Sequence, residues 1–308
     1  MAAIPPSGRQ HVITHGAHRA VITEVGGGLR TYTIDGADVI DGFPEDEMCS
    51  VARGAPLLPW PNRLQDGEYE FQGVRHQTAL TEPGRRNAIH GLTRWLNWNG
   101  SEHEANRVTM RLRLHPADGY PFTLELAIEY RLSDRGLSVR TTATNAGRPP
   151  LPYGAGQHPY LTVGTELIDE ALVRVPALQR LEVDDRQIPT GRTIPVKGTA
   201  FDFLELRRLG PTRLDTAFAN LIVDADGLSR IEMRAPSGSP SLTLWMDATY
   251  RFVMVFTGDT IPQIGRRRRG LALEPMTCAP NAFRSGDGLM VLEPGESVSS
   301  AWGIFARA

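Results

Sequence analysis

Apolar and polar residues alternate with a period of two through the middle of this chain. In RVTMRLRLHP, Val108, Met110, Leu112 and Leu114 fall on one face of an extended backbone, and Thr109, Arg111 and Arg113 on the other. FTLELAIEYRL continues with Phe122, Leu124, Leu126, Ile128 and Tyr130, and GLSVRTTATN with Leu137, Val139 and Thr141 in phase. HPADGYP and SDRG separate the three runs and have turn composition, so the segment predicts an antiparallel meander buried on one face. SRIEMRAP and SLTLWMDAT repeat the pattern. RFVMVFTG is apolar without interruption and predicts a strand buried on both faces. Helical spacing is scarce. FDFLELRRLG (201–210) predicts one short helix with Gly210 past its end, and RWLNW is too short to assign. No low-complexity tract or internal repeat divides the chain. The expected fold is all-β, a large antiparallel β-sandwich with few short helices, formed by residues 1–308 as a single domain.

Composition narrows the partners. A formal net charge of −2 over 308 residues gives no electrostatic reason to expect nucleic acid or an anionic membrane. With 31 glycines and 23 prolines the chain is turn-rich, yet 41% hydrophobic residues separate it from disordered sequences. Two cysteines, Cys49 and Cys278, make neither a disulfide framework nor a Cys-rich zinc site. The start, MAAIPPSGRQ, has no apolar signal region, and no stretch approaches the 18 apolar residues of a membrane span. A cytoplasmic protein, monomer or homodimer, is expected.

Polar residues with chemical potential gather beside glycine and proline. Asn62 and Arg63 lie in PWPNRLQDGEYEFQG, His90 in RRNAIHGLTRW, His158 in GAGQHPYL, Asp215 in PTRLDTAFANL and Glu274 in LALEPMTCAPNAF. Taken singly, each histidine reads as a hydrogen-bonded structural residue and Asp215 as a turn or cap residue. Glu274 is harder to dismiss, because it ends an apolar strand-like run, where a carboxylate is costly unless paired or solvated. Together they suit proton transfer near neutral pH, since Glu and His are both readily tuned to it. Arginine and aspartate suit a polyhydroxyl ligand, whose hydroxyls donate and accept. Trp60, Trp95, Tyr160 and Phe283 lie near these clusters and are candidates to stack on a sugar ring, although buried aromatics are most often core. Walker-type phosphate loops and G-x-S-x-G elbows are absent, and His90 and His158 lack the close spacing of metal ligands.

At these residues the sequence resembles the aldose 1-epimerase (galactose mutarotase) family. The resemblance runs in order through PNRLQDGEYEFQG, NAIHG, DGYPFTLELAIEYRL, ATNAGRPPLPYGAGQHPYL, LDTAF and ALEPMTCAPNAF. It implies a β-supersandwich, a small sugar as substrate, and neither cofactor nor metal. It implies that Glu274 takes the proton of the C1 hydroxyl and His158 protonates the ring oxygen. It also implies that Arg63, His90 and Asp215 hold the sugar, with Asn62 and Tyr160 beside them. Gly154 and Gly156 are expected to let the chain approach the sugar, and Pro159-Tyr160 to fix the imidazole's direction. GQHPYL and the HGL after the first histidine depart from the usual galactose wording. They resemble a branch that includes mutarotases of sulfoquinovose, a sulfonated glucose.

GRRRRG (265–270) has two readings. Charge runs are usually solvated loops. Guanidinium forks also suit phosphate or sulfonate, so Arg266 to Arg269, with Arg85 and Arg86, are candidates for an anion site. Two other functions stay open: a sugar-binding or regulatory module without chemistry, and a glycoside hydrolase using Asp215 and Glu274, which needs two carboxyls at a set separation.

Overall fold

A computed structural model describes residues 4–307. The meander forms as the alternation predicts. Arg107–Leu114, Leu124–Ser133 and Gly136–Asn145 pair antiparallel, with Met110 opposite Ile128 and Ile128 opposite Thr141. The C-terminal strand Ser297–Arg307 adds to Gly136–Asn145, and Ser241–Asp247 and Leu228–Arg234 follow outward in a nine-stranded sheet. A second large sheet runs through Pro189–Pro195, Ala177–Val183, Asp215–Leu221, Phe252–Phe256, Leu271–Met276, Gly156–Gln157 and Pro56–Leu57, and Tyr160–Leu161 also pairs with Leu271–Met276. Four N-terminal strands between Gln10 and Asp38 form a smaller sheet. The fold is all-β and mostly antiparallel.

The central strands of the second large sheet are buried on both faces, because they are apolar at odd and even positions alike. Val253, Val255, Leu271 and Leu273 join the main core, together with Met110 and Ile128 of the other large sheet. Met254 and Met276 point the opposite way into a smaller cluster with Leu181 and Ala217. Glu274 shares that second face, since it pairs directly with Met254. Asp215 is there too, opposite Phe256, which in turn opposes Ala272. RFVMVFTG is therefore a doubly buried strand, as its unbroken hydrophobicity predicts.

The helix expected at 201–210 does not form. Leu209 donates its N–H to the Ala171 carbonyl, and Arg207 and Arg208 pair as strand with Val173 and Leu172. Phe203 is buried, and the Arg207 guanidinium lies 3.7 Å from its ring centre. Sheet pairing and burial override the local helical spacing. The α-helix among the described residues is the single turn Ala282–Ser285, closed by Gly286 at φ 77°.

Candidate active site

Glu274 and His158 face each other because of strand register. Gly156 pairs with Met276 and Tyr160 with Ala272, so residue 158 stands opposite residue 274 in the gap between these pairs. Paired residues share a face of the sheet. The His158 Nε2 lies 3.3 Å from Glu274 Oε1, with the two side chains 5% and 2% exposed. Backbone bonds pin the segment: His158 N–H donates to Ala55 O at 3.1 Å, and Gly54 N–H donates to His158 O at 2.9 Å.

His90 arrives from a separate hairpin. Arg63–Gln65 pairs with Asn87–Ile89, with Arg63 opposite Ile89. Beyond that pair both chains turn into the left-handed region, Asn62 at φ 55° and His90 at φ 64°. His90 N–H donates to Asn62 O at 2.9 Å, and Asn62 N–H donates to His90 Nδ1 at 3.2 Å. A neutral imidazole that accepts at Nδ1 carries its proton on Nε2, so His90 offers a donor to the cavity. Asn62 Oδ1 accepts the Arg63 N–H at 2.9 Å. Asn62 thus shapes the loop with both its backbone and its amide.

Arg63 is 6% exposed. Its Nε donates to Glu82 Oε2 at 2.9 Å and its Nη2 lies 3.6 Å from Asp215 Oδ2. Asn281 holds the same hairpin: its N–H donates to Arg63 O at 2.7 Å and its Oδ1 accepts from Gln65 N–H at 3.0 Å. Glu82, Asn281 and Arg94 escape the sequence reading. Asn281 sits in a segment noted for Glu274, and Arg94 lies in the segment noted for His90 and in RWLNW, which is too short to assign.

These side chains line a cavity of about 450 Å³, whose wall includes Asn62, Arg63, His90, His158, Asp215 and Glu274. It also includes Tyr160, Glu82, Arg85, Arg94, Phe256 and Thr260. All seven sequence-selected residues meet there. Of the other aromatics, Trp60 and Phe283 pack on each other in the interior at 5.3 Å, and Trp95 is exposed beside Arg94. The two glycines near His158 have a different task from the one expected. A Cβ on Gly154 would sit 2.3 Å from Cys278 Sγ, and one on Gly156 would sit 2.7 Å from Pro61 Cβ. They let strands and loops pack closely behind the site.

The electrostatics favour uncharged histidines. Burial drives the His158 pKa down to about 3, aided by the charges of Arg94 and Arg53. Burial also holds His90 well below its ordinary value, with Arg94, His158 and Arg63 acting the same way. Glu274 is pushed well above the usual carboxylate range by burial and by Asp215, with Arg63 opposing. Burial therefore favours a neutral pair, with one transferable proton held between Glu274 and His158. Glu274 Oε2 and His158 Nδ1 are buried without a hydrogen-bond partner. Buried unpaired polar atoms in a cavity wall mark places where a ligand's hydrogen-bonding groups fit.

Ligand atoms of His90, His158 and Glu274 lie within 4.8 Å of one another, closer than their sequence spacing suggests. They are nonetheless a poor cation site. The Asn62 N–H occupies His90 Nδ1, which leaves Nε2 protonated and unable to ligate.

The arginine run divides. Arg266 donates to Asp41 Oδ1 at 3.0 Å, and Arg268 pairs with Asp169 and Asp259. Arg267 and Arg269 are exposed. Arg86 is 76% exposed and lies 3.6 Å from Asp66, while Arg85 pairs with Glu82 at the cavity wall. No helix among the described residues is long and apolar enough to cross a membrane.

The aldose 1-epimerase family profile matches residues 9–304. The chain is 36% identical to uncharacterized protein YihR of Escherichia coli over 302 residues, spanning 98% of this chain and 94% of that one. It is 29% identical to the galactose mutarotase of Homo sapiens over 186 residues, covering 56% of this chain and 52% of that protein. Its fold superposes on the GalM/aldose epimerase homologue from C. elegans with a TM-score of 0.87, at 19% identity, over 97% of this chain and 98% of that one. A match over nearly the whole chain, together with the buried His–Glu cluster, establishes that this protein is a member of the aldose 1-epimerase family.

Proposed function

We propose that this protein is a mutarotase, interconverting the α and β anomers of an aldohexose or a derivative, with residues 1–308 acting as one domain. The observation that carries the reading is the buried pair of His158 and Glu274, 3.3 Å apart in the wall of a sugar-sized cavity. Ring opening needs a proton removed from the C1 hydroxyl and another delivered to the ring oxygen. Glu274 takes the first and His158 gives the second. Opening starts from the Glu274 carboxylate and the His158 imidazolium and leaves Glu274 protonated and His158 a neutral imidazole with one ring N–H. Rotation about C1–C2 and closure with the roles exchanged yield the other anomer. The neutral state that burial favours is the state of the pair while the sugar is open. Loss of the Glu274–His158 charge separation thus assists opening. Arg63, Asp215 and the His90 Nε2–H bind sugar oxygens, and Tyr160 backs the imidazole.

One observation favours an anionic sugar. A second cavity, of about 670 Å³, shares Arg85, Asp215, Phe256 and Thr260 with the first. Its wall adds Arg180, Arg213, Arg267 and Arg268 against one further carboxylate, Asp259. The Arg180 guanidinium stacks on Phe201, and its Nε and Gln187 Oε1 are buried without partners. A phosphate or sulfonate carried by the sugar would accept from Arg180 Nε, and a sugar hydroxyl would donate to Gln187 Oε1.

The test is polarimetry or NMR of freshly dissolved α-anomers of glucose, galactose, a sugar phosphate and a sulfonated glucose. Relaxation faster than buffer for any of them supports the reading. Saturable binding with no acceleration would leave a sugar-binding module instead.

A further inference from the structure

Behind the imidazole of His158 stands a stack that the proton-transfer chemistry does not itself use. The Tyr160 ring lies nearly parallel to His158, at 5.0 Å and 16°. On Tyr160 sits the Arg53 guanidinium, 4.4 Å from the ring centre. Arg53 is 2% exposed and lies outside the cavity wall. Its Nη1 donates to Asp41 Oδ2 at 2.6 Å. Asp41 also accepts from Arg266 at 3.0 Å, and its N–H donates to Tyr160 O at 2.7 Å.

We propose that Arg53 is a positioning residue for His158, acting through the Tyr160 ring, and that the arginine loop serves it by anchoring Asp41 through Arg266. The inference rests on the reading of His158 as a proton-transfer group. A planar guanidinium fits a ring face better than an ammonium does, and a buried one needs a counter-charge. Asp41 supplies that charge at Nη1. Tyr160 donates its O–H to Val51 O at 3.2 Å, which fixes the ring in its plane. The imidazole is thereby held against the Tyr160 ring, with its Nε2 3.3 Å from Glu274 Oε1 and the fixed positive charge of Arg53 on the same tyrosine. A cation there makes the imidazolium a readier donor to the ring oxygen.

The other groups facing His158 are Glu274 from the opposite strand, the His90 ring at 5.2 Å, and Arg94. Cys49 donates its S–H to the Arg53 carbonyl oxygen at 3.4 Å. Of these, only Arg53 and Arg94 add positive charge outright.

The experiment is an NMR titration of histidine-labelled protein, with His158 assigned by loss of its signal in His158→Asn, alongside the pH profile of mutarotation. Arg53→Met is expected to raise the His158 midpoint by about one unit, the usual effect of removing a nearby charge. It should move the acid limb of kcat to higher pH and lower kcat about tenfold with KM little changed. Arg53→Lys, which keeps the charge and the Asp41 pair, should restore most of the midpoint. A folded Arg53→Met protein with an unmoved midpoint, or a loss confined to KM, overturns the proposal. If Arg53→Met does not fold, Arg266→Gln removes one of the two arginines on Asp41. A smaller shift in the same direction supports the chain of contacts, and an unmoved midpoint overturns it. The titration reads His158 without turnover, so wild-type protein that fails to accelerate mutarotation sinks the mutarotase reading and leaves this measurement standing.

Discussion

His158 and Glu274 are opposed residues of one antiparallel strand pair, bracketed by Gly156 with Met276 and Tyr160 with Ala272. They are 116 positions apart in the chain, yet register alone sets them side by side. A slip of one residue in either strand would turn one of them to the other face of the sheet. The His158–Glu274 geometry is therefore tied to the packing that sets register. Leu271 and Leu273 in the main core fix which face Glu274 takes.

Each member of the pair is expected to be indispensable to turnover. Glu274→Gln and His158→Asn keep size and polarity but cannot exchange the proton. Each should lower kcat by about 10²–10⁴, the usual range for a positioned acid or base. Circular dichroism and thermal melting should show both variants folded. A variant that keeps more than about a tenth of wild-type kcat would contradict the assigned role.

The same shifts predict how stability depends on pH. His158 has a folded pKa near 3, below its unfolded value of about 6.5. The unfolded chain thus binds the extra proton first. Stability from this group is complete above about 6.5 and is lost as pH falls toward 3, by at most about 1.4 kcal/mol per unit. Glu274 runs the other way. Its folded pKa lies above the unfolded one, so its contribution is present below about 4.3 and is lost as pH rises through the folded value. His158→Asn should flatten the acid side of a urea-denaturation stability profile. Glu274→Gln should raise stability at neutral and alkaline pH relative to wild type.

Arg63 joins two carboxylates that its sequence neighbourhood does not announce. Removing it leaves Glu82 and Asp215 facing the cavity without their shared cation. Arg63→Met should cost about 3–5 kcal/mol, the usual result of breaking a buried pair from one side. The double variant Arg63→Met, Glu82→Leu should recover part of that loss. A coupling of at least about 1 kcal/mol in a denaturation double-mutant cycle is expected, and additive losses would count against the pairing.

Much of this was legible in the chain because β-structure writes its faces at period two. Met110, Ile128 and Val139 declare one buried side, and the unbroken apolar run Phe252–Phe256 declares a strand buried on two. The seven selected site residues line one cavity. What pure spacing could not supply is long-range register: nothing local says that residue 158 lies opposite 274, or that His90 and His158 come within ligand distance. The segment 201–210 failed for a related reason. Phe201 and Leu204 have helical spacing, but the edge strand Leu172–Arg174 was available to pair with Arg207–Arg208. Glu82, Arg94 and the Arg53–Tyr160 stack were hidden because ion pairs and ring contacts between distant segments leave no periodic trace.

The hydrogen-bonding state of His90 is open to direct measurement. Its Nδ1 accepts the Asn62 N–H, so the proton belongs on Nε2. The ¹⁵N spectrum of labelled protein should show one histidine fixed as the Nε2–H tautomer across neutral pH, since burial keeps it uncharged. His90→Gln places an amide N–H near the Nε2 position, whereas His90→Asn places one nearer Nδ1. The Gln variant should keep the lower KM of the two. Equal losses would show that the donor does not meet the sugar.

The residue after His90 shows how far backbone strain supports the site. Gly91 has φ 67°, and a Cβ there would lie 1.9 Å from the Leu58 carbonyl oxygen. That contact is with backbone, so no side-chain rotation relieves it. Leu92 N–H donates to the same oxygen at 2.8 Å, which locks the two segments together. Gly91→Ala should therefore push the His90 loop away from Leu58 and drag the imidazole off Asn62. The expected stability loss is about 2–4 kcal/mol, from the left-handed backbone and the steric conflict combined. A control at Gly73 separates the two causes, because it has φ 78° and open space around its Cβ. Gly73→Ala should cost about 1–2 kcal/mol and leave mutarotation intact. If Gly91→Ala costs no more than Gly73→Ala in urea denaturation, the close approach to Leu58 is not what holds His90 in place.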